Sequence, residues 1–226
     1  MQRWAPHAVH CLILTETGIE DSFRTLKNGF EDWLPSPTGE SCSIRLRRQD
    51  ATLTMIAGRQ IQTAERLEVL ALGCVVRIED GLPVERTLEL VRDSGAMAVL
   101  PWGVGKWTGR RGRIVAALIE RARPGDVYVG DNGNRPSPAP MPKLITFAIR
   151  KGLLNLPGSD PLRLRSDEVR PGSYGFSIQG DFDESRPMGS IQRLLAASRT
   201  SPQSFGHRVN WIEFAVSQAG LRLTRA

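Results

Sequence analysis

Apolar positions along this chain follow two rhythms, short continuous runs and helical spacings, and the two alternate. Ala8 to Leu14 is apolar enough for a first buried strand. Ile19, Phe23, Leu26, Phe30 and Trp33 then recur every three or four residues. This predicts a helix over Ile19 to Leu34, capped by Asp21 or Ser22 and ended by a loop at Pro35-Ser36-Pro37-Thr38-Gly39. Short strands are expected at Ser43 to Leu46 and Leu53 to Ala57, with a further apolar stretch at Leu67 to Val76. Pro83 to Ser94 reads as a helix. Pro83 suits its first turn, Val84, Leu88 and Val91 mark an apolar face, and Gly95 ends it. Beyond it the pattern predicts strands at Ala96 to Leu100, Val127 to Val129 and Leu153 to Leu156. Helices are predicted at Arg113 to Arg123, Lys143 to Lys151, Ile191 to Ala197 and Val209 to Ala219.

Strands alternating with helices indicate an α/β fold with a mainly parallel sheet. With 226 residues the chain is long enough for one large core, and it is read as a single domain over 1–226 with a helical region from about 187. A hydrophobic content of 40% with 24% charged residues describes a globular chain rather than a disordered one. No run of about 18 apolar residues exists, which argues against a membrane span. The apolar start is interrupted by Glu16 too soon for a signal peptide, so a cytoplasmic location is expected. Cys11, Cys42 and Cys74 lack CxxC spacing and are read as buried thiols rather than as a disulfide or zinc framework. The net charge of +6 favours anionic partners. Nucleic acid is only weakly supported, because no aromatic motif interleaves with the basic residues.

Four stretches, in order, carry a family likeness: Leu53-Thr54-Met55-Ile56-Ala57-Gly58-Arg59-Gln60-Ile61, Leu67-Glu68-Val69-Leu70-Ala71-Leu72-Gly73, Gly95-Ala96-Met97-Ala98-Val99-Leu100-Pro101-Trp102-Gly103 and Gly152-Leu153-Leu154-Asn155-Leu156-Pro157-Gly158-Ser159-Asp160. Together they resemble strands of the polymerase-and-histidinol-phosphatase (PHP) family of metal-dependent phosphoesterases. The resemblance implies a distorted (β/α) barrel with its site at the carboxyl ends of the strands. It also marks this chain as degenerate. Gln60 stands where the family has a metal-bridging glutamate, Trp102 and Leu162 stand where it has histidines, and Asp160 alone is kept. Trp and Leu supply no lone pair for a metal, and an amide binds a cation less strongly than a carboxylate. The chain has three histidines, His7, His10 and His207, too few for the family's site. No cofactor is therefore expected. The alternative is a single divalent metal ion held by Asp160 and Asp131, with His7 or His10.

Two loops are further candidates. Gly103 to Arg113 follows a predicted strand and precedes a predicted helix, so backbone N–H groups with Lys106, Arg110, Arg111 and Arg113 suit an anion. The same residues also make a glycine-rich turn with solvated cations. It is not a nucleotide-triphosphate loop, since Trp107 follows Lys106 and Leu100 occupies the first glycine position. Gly130-Asp131-Asn132-Gly133-Asn134-Arg135 offers a carboxylate, two amides and a guanidinium, and is equally a good turn sequence. The expected function is binding of a phosphorylated or other anionic small molecule. Lys106, Arg110, Arg111 and Arg135 hold its charge. Trp102 walls the pocket. Gln60, Asp131, Asn132, Asn134 and Asp160 handle its polar groups. Two alternatives are kept: a divergent metal-dependent phosphoesterase with Asp160 and Asp131 catalytic, and a non-catalytic partner-binding scaffold.

Overall fold

A computed structural model describes residues 8–161 and 168–223, with backbone alone for 218–223. Leu162 and His7 lie outside the described residues. The strands are β1 (Cys11–Thr17), β2 (Leu34–Pro37), β3 (Ser43–Arg48), β4 (Ala51–Gln62), β5 (Glu68–Leu72), β6 (Met97–Pro101), β7 (Tyr128–Gly130), β8 (Tyr174–Ser177) and β9 (Gln203–Gly206). The helices are α1 (Ser22–Leu26), α2 (Val84–Asp93), α3 (Gly109–Arg121), α4 (Lys143–Arg150), α5 (Pro187–Ala197) and α6 (Trp211–Leu223).

Seven strands form one open, mixed sheet in the order β2-β3-β4-β5-β6-β7, with β1 parallel to β4. This corrects both the mainly parallel sheet and the PHP-like barrel. The links 49–50 and 63–67 are too short for a parallel crossover, so β3, β4 and β5 pair antiparallel. Among the described strand pairs, only β1–β4 and β6–β7 are parallel. Among the described residues no ladder joins β1 or β2 to the β7 side, so the sheet does not close.

β4 organises the sheet. Its Thr54 N–H donates to the His10 carbonyl on one edge, whereas Ala57 receives Gly73 N–H and donates to the Cys42 carbonyl on the other. One edge of β4 thus carries β1 and the opposite edge carries first β3 and then β5, with the changeover at Ala57. Gly58 sits in the middle of this crowding. A Cβ there would lie 2.7 Å from the Leu14 carbonyl oxygen.

Residue alternation along the strands distributes the core. Val69, Ala71, Ala98, Leu100 and Val129 pack towards α2, α3 and α4 through Val91, Val115, Ile119 and Ile145. Their neighbours Leu72, Met97, Val99 and Tyr128 face Met188, Ile191 and Leu195 of α5. Phe23 of α1 closes a third cluster with Ile44, Leu46, Met55 and Ala57. α5 is seated by a distant carboxylate. Glu40 accepts from Met188 N–H at 2.9 Å and Gly189 N–H at 2.7 Å, in the helix's first turn.

The helix expected over Ile19 to Leu34 shrinks to α1. Gly29 and Glu31 take positive φ, +92° and +51°, and turn the chain into β2, where a loop was expected. α3 starts four residues earlier than the apolar pattern implied. The stretch at Leu153 to Leu156 runs beside β7 through single bridges, Val129 to Asn155 and Asn132 to Gly158, rather than as a full strand. The region after 187 holds β9 as well as helices.

Candidate functional site

The carboxyl ends of β6 and β7, the start of antiparallel β5 and the turn at 158–160 meet at one end of the sheet. Asn132 is the hub. Its Nδ2 donates to the Asp160 carboxylate and, at 3.3 Å, to the Trp102 carbonyl. Its Oδ1 accepts from Asn134 N–H at 2.6 Å. Asn134 Nδ2 donates to the Asp160 carbonyl at 2.6 Å, and its Oδ1 accepts from Arg170 Nη1 at 2.8 Å. The two turns approach so closely at Gly133 that a Cβ would fall 2.8 Å from the Ser159 carbonyl oxygen. Asp160 has φ +42°, in the left-handed region that Asp tolerates better than most residues.

Lys106 lies over Gly103, where a Cβ would meet its Cδ at 2.6 Å. Its Nζ pairs with Glu68 Oε2 at 2.5 Å. Burial of its carboxyl raises the Asp160 pKa. Lys106, the Asn132 hydrogen bond and Arg170 oppose that shift, and Glu68 adds to it. The residue as a whole is exposed, whereas its carboxyl lies against Asn132.

Beneath this surface lies a second, buried network. Arg135 Nε and Nη2 donate to the two oxygens of Asp131 at 2.8 and 2.7 Å, with side chains only 4% and 1% exposed. Tyr174 Oη donates to the same carboxylate at 3.1 Å. Its pKa is pushed up to about 12, first by burial and then by the Asp131 charge. Arg135 also donates to the carbonyls of Ala139 and Pro140. Both Asp131 oxygens and most guanidinium donors are spent inside the protein, and Asp131 and Asp160 face different partners.

Of the residues predicted from sequence, the structure therefore gathers Trp102, Lys106, Asn132, Asn134 and Asp160. It sets Asp131 and Arg135 below them as a structural pair. Gln60 sits half-buried on β4 and joins none of these hydrogen bonds among the described residues. Arg110 is exposed on the first turn of α3, and Arg111 folds back to the Gly105 carbonyl at 2.9 Å. Two site residues were missed. Glu68 arrives only through the antiparallel β5–β6 register, and Arg170 through a chain return after the site. Among the described residues no three His, Cys, Asp or Glu side chains gather as a metal would need. His10 immediately precedes β1, and its pKa is lowered by burial.

No family model matches the chain, and no curated protein matches it. Among solved structures, the crystal structure of PsfC from Pseudomonas syringae PB-5123 is similar, with a TM-score of 0.58 at 16% identity. The match covers 96% of this chain and 84% of that one. At this identity the likeness is one of fold. No helix among the described residues is long and apolar enough to cross a membrane.

Proposed function

We propose that this chain binds a phosphorylated or other anionic small molecule at the carboxyl end of β6 and β7. The observation that carries the reading is the convergence of Lys106, Asn134 and Asp160 from three separate segments, held together by the buried Asn132, beside the first turn of α3. Open α/β sheets bind ligands beyond the carboxyl ends of their strands. The first turn of α3 offers N–H groups with no side-chain cap and no acidic residue, and carries Arg110 and Arg111. The charge of the ligand falls to these two arginines and Lys106. Asn134 and Asp160 receive its polar groups, and Asn132, buried and hydrogen-bonded to both turns, positions them. Arg135 supports the turn instead of touching the ligand.

Isothermal titration with inorganic pyrophosphate tests this. Saturable binding is expected, and Arg111→Glu abolishes it while leaving the unfolding transition in place. Unchanged affinity in that variant sinks the assignment. Turnover of a phosphate ester that a chelator stops would instead favour the phosphoesterase reading. The scaffold reading draws support from α6, where Trp211, Ile212 and Val216 are 56%, 77% and 62% exposed.

A further inference from the structure

In the parallel β1–β4 ladder only alternate residues of β1 face β4, beginning with the His10 carbonyl that accepts from Thr54. The N–H and C=O groups of Cys11, Ile13 and Thr15 therefore point the other way. Among the described residues none of them has a hydrogen-bond partner. β2, at one end of the sheet, is guarded by Pro35 and Pro37, which lack N–H groups. β1 has no such guard. Residues 11–15 read Cys-Leu-Ile-Leu-Thr, with no proline, glycine or charge. Both faces are apolar: Cys11 and Ile13 pack on the α5 side, Leu12 and Leu14 on the α1 side.

We infer that two copies of this chain pair antiparallel through β1, about a two-fold axis at Ile13, and so continue one sheet through the other. The strand is complementary to a second copy of itself. In this register Ile13 faces Ile13 and Cys11 faces Thr15, so every outward N–H and C=O of the three residues finds a partner. On the opposite face Leu12 meets Leu14. Apolar meets apolar on both faces, and no like charges oppose each other between His10 and Glu16. A two-fold contact of this kind is closed, ending at the dimer. It also removes an edge that would otherwise template aggregation.

Sedimentation velocity of the full chain over a concentration series tests the pairing, and two variants test the register. Thr15→Pro removes an outward N–H and no bond to β4, so it weakens dimerisation about tenfold or more while the monomer stays folded by circular dichroism. Ile13→Cys places two thiols across the axis at a spacing a disulfide spans, and gives a covalent dimer on mild oxidation. The wild-type chain, with Cys11 opposite Thr15, gives none. A chain that stays monomeric at all concentrations overturns the proposal. So does a dimer that is indifferent to Thr15→Pro and is not trapped through Ile13→Cys.

Discussion

Single side chains at the end of β6 and β7 divide into those on residues open to solvent and those locked inside. Asp160 belongs to the first set. Its pKa lies above the ordinary 3.8 because burial disfavours the charged form. A carboxyl shifted this way contributes to stability while it is protonated and loses that contribution as pH rises through its folded pKa. Asp160→Asn keeps an acceptor for Asn132 and carries no charge. The variant is thus expected to gain stability over the wild-type chain as pH rises from below 3.8 towards neutrality. Urea unfolding of both proteins across that range checks it, and a gap moving the other way contradicts the assignment. Arg135 belongs to the second set. Arg135→Ala leaves the Asp131 carboxylate buried without its bidentate partner, and costs roughly 3–5 kcal/mol in urea unfolding. A loss below about 1 kcal/mol, the range of exposed pairs, would show that the pair is solvated.

At the scale of elements, the helices owe their positions to contacts far away in the chain. α5 starts after Arg186 with no side-chain cap of its own, and Glu40 fills that role from the β2–β3 connection. The carboxylate also meets the positive end of the helix dipole. Glu40→Ala should cost about 1–2 kcal/mol. Glu40→Gln, which keeps an acceptor oxygen without the charge, should cost less. Equal losses in the two variants, read by urea unfolding, would show that charge rather than hydrogen bonding holds the helix. α1 has a similar arrangement. The buried Glu16 carboxylate accepts from Ser22 and Phe23 N–H and anchors a helix of only five residues.

For the whole molecule, the three hydrophobic clusters lean on one sheet, and β4 contributes to all of them through Met55, Ala57, Ile56 and Ile61. No cluster is complete without that strand. Unfolding is therefore expected as one transition, with tryptophan fluorescence and far-ultraviolet circular dichroism falling together. Separated midpoints would divide the chain into two units.

The amino-acid sequence by itself settled the local features. α2 between Pro83 and Gly95, β6, β7 and α4 each carry their own period and punctuation, and each lies within a few residues of its expected place. That Trp102, Asn132, Asn134 and Asp160 come together was legible because each follows a short apolar run, where a strand ends and a loop begins. Strand direction was not legible. An apolar run looks the same in a parallel or an antiparallel neighbour, so the family likeness led to a barrel where the chain builds an open mixed sheet. Direction in turn decided the site. Antiparallel β5 delivers Glu68 to Lys106, and the return of the chain brings Arg170 to Asn134. Burial decided the rest. Asp131 and Arg135 look like a ligand-binding pair in one dimension, but only packing against Tyr174 shows them paired with each other, because desolvation makes an unpartnered charge there too costly.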